Sequence, residues 1–318
     1  MINDRKTESC LTAEDSLREI YKGCRLCPRY CGADRTQNYG RCGSGALPRV
    51  AAASLHKWEE PCLSGKNGAG AVFFSGCPLG CVFCQNREIS IERKGESVSA
   101  SQLARIFTEL EAAGAECLDL VSATQYAPTV FEALDIAKPK IPVVWNTGGY
   151  ERAELMDTLL SHIDVYLPDF KFFSPELSKK LCGAPDYAKH AIGSLKIAVD
   201  TLGECVFDER GMLKRGTVVR HLVLPGQKND SIEILKLLKN EIDITKIKLS
   251  LMSQFTPFFP EKLPKGMNRK ITSYEYSCVL EAAAEMGFDG FCQDRSSAER
   301  GYLPSFDMKA LGRDIKEF

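Results

Sequence analysis

From residue 71 onward, short apolar runs alternate with segments of helical period. The runs Ala71–Phe74, Leu118–Val121, Pro142–Trp145, Asp164–Leu167, Val218–Leu224 and Lys248–Leu251 have strand length and turn residues at their ends. Between them, Ser99 caps a segment whose Leu103, Ile106, Phe107 and Leu110 form one stripe. Pro128 opens a second helix, Glu151 begins a third and Ser231 caps a fourth. Residues Ser273–Met286 carry the last clear helical pattern, and residues 205–216 predict a hairpin turning near Asp208–Gly211. Strands alternating with helices at roughly 30 residues per unit predict an α/β fold with a parallel sheet. Periodicity alone leaves an open doubly wound sheet and a partial barrel as alternatives.

The first 70 residues read differently. Residues 12–22 predict a short helix, capped by Thr12 and ended by Gly23. The stretch that follows, CRLCPRYCGADRTQNYGRCGSG, is rich in Cys, Gly and Arg and has no apolar period. Such a stretch cannot build its own core and needs a staple, which a metal can supply. Residues 63–70 read as a flexible connection. The chain therefore divides into a cysteine-rich metal-binding extension, residues 1–70, and an α/β body with a C-terminal tail, residues 71–318.

Charge removes some functions. Lys and Arg number 41 against 42 Asp and Glu, so no global field attracts a polyanion, which argues against nucleic acid as partner. No apolar stretch of about 18 residues suits a membrane span. The N-terminus lacks the apolar core of a signal peptide, so a cytoplasmic location is expected. In that setting the 14 cysteines point to metal or redox chemistry before disulfides. Cys10, Cys62, Cys117, Cys182, Cys205, Cys278 and Cys292 are scattered, and most of them read as small hydrophobic fillers. The others form two groups.

The first group is Cys77-Pro-Leu-Gly-Cys81-Val-Phe-Cys84, spaced C-x3-C-x2-C just beyond a strand. Three thiolates can hold three irons of a [4Fe–4S] cube and leave the fourth iron open to a small molecule. Structural zinc sites want four ligands instead. Gly76 and Gly80 let the loop close tightly, and Phe83 would cover one face of a cube. The second group, Cys24, Cys27, Cys31 and Cys42, supplies a full shell for either zinc or an auxiliary Fe–S cluster. Arg25, Arg29, Arg35 and Arg41 would offset its negative charge.

The triad, with an aromatic before its third cysteine, resembles the signature of the radical S-adenosylmethionine (SAM) superfamily. GCPLGCVFCQN is similar to the activating enzymes of glycyl-radical proteins, such as pyruvate formate-lyase-activating enzyme. The likeness continues through VVWNTGGYE, IDVYLPDFKF, VVRHLVLPG and LMSQFTP, from about residue 20 to 295. With CRLCPRYCG included, the chain looks like a distinct branch carrying an N-terminal four-cysteine motif. The resemblance implies a partial (β/α)6 barrel and a [4Fe–4S] cluster whose open iron binds SAM. It implies reductive cleavage of SAM to a 5′-deoxyadenosyl radical, fed by a donor such as flavodoxin or ferredoxin. It also implies hydrogen abstraction from a glycine of a glycyl-radical partner protein.

In parallel α/β folds the site gathers at the C-terminal strand ends. Ser122-Ala-Thr124-Gln125 occupies the place of the family's Gly-Gly-Glu stretch, so Ser122 and Thr124 are candidates for the SAM amino group. By the same resemblance, Asn146, Thr147 and Asp169 line the SAM methionyl region and a monovalent-cation site. Asn146 stands where the family can place an aspartate. Arg220 offers its planar fork to the SAM carboxylate or makes a structural ion pair. By its position at the end of the sixth strand, Phe255 is expected to flank adenine. His221 alternates to the opposite face from Arg220 and reads as structural. Two other functions stay open: a radical SAM enzyme acting on a small molecule or peptide side chain, and a non-catalytic Fe–S electron carrier.

Overall fold

The apolar runs become strands that are buried on both faces, as parallel strands covered by helices must be. The computed structural model describes residues 19–293 and 306–318. Its main strands are β1 (Arg49–His56), β2 (Ala69–Phe74), β3 (Leu118–Val121), β4 (Val143–Thr147), β5 (Val165–Pro168), β6 (Leu213–Leu222), β7 (Ile247–Met252) and β8 (Gly290–Cys292). Strands β2 to β8 lie side by side in chain order, all parallel. β1 pairs antiparallel with β2, and Lys309–Ala310 and Arg313–Asp314 extend the sheet beyond it. Among the described residues the two ends of the sheet do not pair, so the curve stays open. This is the α/β, mostly parallel architecture that the periodicity predicts.

The helices are α1 (Ala100–Ala112), α2 (Ala127–Ala137), α3 (Met156–Leu160), α4 (Pro175–Cys182), α5 (Tyr187–Leu202), α6 (Lys228–Glu241) and α7 (Ser273–Met286). α1 starts where a capping box forms: Ser99 Oγ accepts from the Gln102 amide, and the Gln102 side chain accepts from the Ser99 amide. Its Leu103, Ile106, Phe107 and Leu110 join Leu118, Leu120, Trp145 and Tyr166 in the outer core. The opposite face of the sheet has its own cluster. Ala69, Cys117, Val144, Val165, Leu167 and Val218 pack on Cys62 and Leu63 of the short helix Pro61–Ser64. That helix plugs the sheet's concavity near the strand starts. One pleat step further along the strands sit Asp119, Asn146 and Arg220, on the same side by alternation.

Several boundaries differ from the sequence reading. β1 lies within residues 1–70, yet it pairs with β2 across the expected connection. Residues 63–70 are not a flexible connection: Leu63 and Ser64 are buried in a helix, and Ala69 and Gly70 begin β2. Ser231 does not cap its helix, which starts at Lys228; its hydroxyl meets His221 Nε2 at 2.8 Å. Glu151 does not begin a helix; α3 starts at Met156 after a 3₁₀ turn. Residues 19–22 are helical and end in a turn at Gly23, while residues 12–18 and Cys10 lie outside the described residues. The hairpin forms as expected: Val206 pairs Arg215, and the Asp208 side chain accepts from the Arg210 and Met212 amides. No described helix is long and apolar enough to cross a membrane.

Gly149 shows how tightly the strand ends are drawn together. Its φ is +75°, and a Cβ there would lie 2.2 Å from the Asp169 carbonyl oxygen. Gly149→Ala is expected to lower unfolding free energy by about 2–5 kcal/mol, combining backbone strain with overpacking. Urea denaturation measures this. Gly193→Ala, inside α5 with nothing within 4 Å of the added Cβ, is the matched control and should be neutral or stabilising.

Candidate active site

β2 ends at Phe74, and Ser75 and Gly76 carry the chain into the cysteine loop. Gly76 has φ +82°, and a Cβ there would lie 2.2 Å from Ser44 Oγ, so glycine is required where the N-terminal arm crosses. Cys77, Cys81 and Cys84 are free thiols that line one cavity of about 200 Å³. Phe83, Ser122, Asn146, Thr147, Asp169, Lys171, Arg220 and Phe255 line it too. Burial pushes the Cys77 thiol up to about 12 and also raises Cys84. Cys81 is raised by a hydrogen bond with Cys182 and by burial. Bound iron would reverse these shifts, because a metal cation favours the thiolate.

The donor set therefore fits a cluster held through three thiolates: soft ligands, unpaired in disulfides, facing one shared space beside strand-end polar groups. Among the described residues, no three His, Cys, Asp or Glu side chains converge around a single metal ion. A cube does not need that, since it spreads its thiolates over separate irons.

At the strand ends Arg220 is the hub. Its Nε donates to Asp169 Oδ1 at 2.9 Å, Nη1 to Glu59 Oε2 at 3.1 Å and Nη2 to Asn146 Oδ1 at 2.5 Å. Its fork thus meets groups of the chain itself, the ion-pair alternative of the sequence reading. Asp169 also accepts from Lys171 Nζ at 2.5 Å, and Asn146 donates to Asp119 Oδ2 at 3.2 Å. Burial would raise the Asp169 carboxyl, but Arg220 and Lys171 hold it below its ordinary value. Burial raises Glu59 against the pull of Arg220, and raises Asp119 strongly with Glu59 adding to it.

The other expected residues divide. Ser122, with φ +60°, faces the cavity. Thr124 turns instead to Glu151 Oε1, 2.6 Å away, and Thr147 donates to the same oxygen at 2.5 Å. Thr124 does not line the cavity, because the buried Glu151 carboxylate claims its hydroxyl. Phe255 lines the cavity but is 2% exposed and packs on Phe83 with ring centroids 6.1 Å apart. His221 is structural as expected: its Nδ1 lies 2.7 Å from the Phe170 carbonyl, and burial lowers its pKa.

Sequence reasoning missed Gln125, Glu59, Glu60, Asp119 and Cys182. Gln125 Nε2 donates to the carbonyls of Ser75, Gly76 and Ser122, bracing the entry to the cysteine loop. Cys182 is no inert filler, since its side chain hydrogen-bonds Cys81 while its Sγ donates to the Ser178 carbonyl at 3.1 Å. Asp119 carried a signal, as the one acid within the apolar strand LDLV.

The N-terminal arm docks beside the loop through two arginines. Arg29 donates to the carbonyls of Pro78, Cys182 and Gly183. Arg35 is 1% exposed and donates to the carbonyls of Ser44, Gly45 and Gln125. It also lies 3.6 Å from Cys24 Sγ and over the Tyr21 ring. Cys24, Cys27 and Cys42 are buried, and Cys31 is exposed. Burial pushes Cys27 up to about 12; against burial, the Ala33 and Arg41 amides draw Cys31 down.

The sequence profile of the radical SAM superfamily matches residues 71–238. The chain belongs to the radical SAM superfamily. Membership implies a [4Fe–4S] cluster and SAM as cofactors and places the chain among radical enzymes. An uncharacterised protein of Methanocaldococcus jannaschii is 26% identical over 282 residues, covering 86% of this chain and 77% of its own. The fold is similar to that of a radical SAM methyltransferase from Sphaerobacter thermophilus. The TM-score is 0.51 at 14% identity, over 74% of this chain and 71% of that one. A methylornithine synthase structure aligns at a TM-score of 0.43 and 14% identity, over 76% of each chain.

Arg35→Gln should loosen the arm. It leaves buried carbonyls without donors, an expected loss of about 2–4 kcal/mol. Trypsin should then cut at Arg25, Arg29 and Arg41 faster than in the wild type, and unchanged cleavage would contradict the clamp.

Proposed function

We propose that Cys77, Cys81 and Cys84 hold the [4Fe–4S] cluster, and that the enzyme abstracts a hydrogen from a small molecule or side chain entering the cavity beside them. When bound, the cluster and SAM supply a 5′-deoxyadenosyl radical, the hard chemistry that the cofactors bring. The chain supplies placement and dryness. Gln125 fixes the loop, while Phe83 and Phe255 present apolar faces that keep water from the cavity. Ser122 offers a polar contact to SAM from the cavity wall, beside Asn146 and Thr147, whose side chains are already paired with Arg220, Asp119 and Glu151. Arg220 and Lys171 hold Asp169 ionised and in place.

One observation carries this choice of substrate. The thiol-lined cavity shares His56, Glu59, Gln85, Arg220, Met252 and Gln254 with a second cavity of about 710 Å³. A chamber of that volume, walled by charged groups, suits a substrate with polar bulk. The Cα of a glycine has no side chain to fill it. The second reading, abstraction from a glycine of a partner protein, rests on the motif resemblance from Cys77 through Gln254. A flavodoxin- or ferredoxin-type donor would reduce the cluster in either case.

We further assign a second metal centre to Cys24, Cys27, Cys31 and Cys42. Its support is Arg35, a buried guanidinium whose charged neighbours are Cys24, Cys42 and Tyr21 rather than a carboxylate. A buried cation of that kind suits an anionic thiolate set.

Anaerobic reconstitution with iron and sulfide tests the assignments. The wild type should show cluster absorbance, an EPR signal that shifts on adding SAM, and 5′-deoxyadenosine on reduction. The Cys77→Ala, Cys81→Ala, Cys84→Ala triple variant should lose the SAM-responsive signal and retain only metal held by the arm. Wild-type SAM cleavage by that variant would overturn the cluster assignment, and a metal-free arm in it would overturn the second centre. A glycyl-radical EPR doublet on a candidate partner would select the second reading of substrate.

A further inference from the structure

We propose that Glu60, together with Glu59, forms a subsite for a cationic group of the substrate, an ammonium or guanidinium. This rests on the reading of the larger cavity as the substrate chamber. Glu60 is 8% exposed, lines that cavity, and its Oε2 has no hydrogen-bond partner. Its backbone is fixed, because the Leu63 and Ser64 amides both donate to its carbonyl at the start of the plug helix. Ser250 hydrogen-bonds the carboxyl and Arg220 attracts it, so Oε2 is the oxygen left buried without a hydrogen bond.

The surrounding charge is unbalanced. Glu59, Glu60, Asp119 and Asp169 stand against Arg220 and Lys171, with Lys171 committed to Asp169; the larger cavity's lining adds one more cation, Lys57, and the imidazole of His56, which leaves the acids in excess. Arg220 bonds Asp169 and Glu59 but not Glu60. Asp119 Oδ1, fully buried, lacks a partner as well. Four buried carboxyls sharing so few cations are costly, and burial raises the Glu59 and Glu60 carboxyls against the pull of Arg220. A cation entering the cavity removes that cost and forms charge-assisted hydrogen bonds, whereas an anion would add to it. The volume of about 710 Å³ admits a group as long as a lysine or arginine side chain. The same chemistry is offered by a free amine or guanidine and by a basic residue of a peptide.

Calorimetry on the anaerobically reconstituted full chain decides, using n-pentylguanidinium, its neutral isostere n-pentylurea, and acetyl-Gly-Arg-Gly-amide. At least one guanidinium probe should bind at least tenfold more tightly than the urea, and Glu60→Gln should weaken it at least tenfold. Tighter binding of the free guanidinium points to a metabolite, and tighter binding of the peptide to a polypeptide substrate. Equal binding of the urea, unchanged affinity in Glu60→Gln, or binding of none of the three overturns the subsite. Where Glu60→Gln does not fold, the guanidinium-to-urea ratio on the wild type decides alone. SAM cleavage is read on the same wild-type preparation. Cleavage without cation binding removes only the subsite, and cation binding without SAM binding or cleavage removes the assignment of the cavity.

Discussion

Arg220 takes hydrogen-bond acceptors from β4, from the end of β5 and from the segment after β1, and it does so inside the sheet's concavity. A buried guanidinium needs every donor satisfied, so this one residue fixes the spacing of three parts of the chain. Asp169 is held ionised by it, Asn146 is turned toward it, and Glu59 is drawn in from a loop that would otherwise face solvent. The polar wall between the two cavities is the result. Without that pairing, Glu59 would lose its ion-pair partner and Asp169 would keep only Lys171.

The outer half of the fold was written plainly in the sequence. Leu103, Ile106, Phe107 and Leu110 repeat at helical spacing because that face meets the sheet, and Ser99 with Gln102 marks where the helix starts. β1 was harder to see. Its interior, Val50–Ala53, is mostly alanine, so it lacks the β-branched signal of a strand and is stabilised by pairing with β2. β8 is short and opens with a glycine, and only its neighbour β7 makes it a strand.

The site was legible to the extent that its residues follow one another in the chain. The C-x3-C-x2-C spacing places three thiols on one loop by itself. Glu59, Glu60 and Cys182 come from elsewhere, and nothing local announces them. They reach the site through the plug helix and the end of α4, placements that depend on tertiary contact. Thr124 shows the reverse case: a polar residue at the expected strand end, diverted by Glu151, 27 residues later.

The crossing of the arm over Gly76 bears on how this chain can be divided. Arg29 and Arg35 supply donors to the carbonyls of Pro78, Gln125, Cys182 and Gly183, all of which belong to the body. Excising residues 1–48 would strip those donors from the rim of the cysteine loop and bare the ridge that Gly76 presents to Ser44. The extension is thus an inseparable wall of the body, and a related chain lacking it must close that rim with other residues.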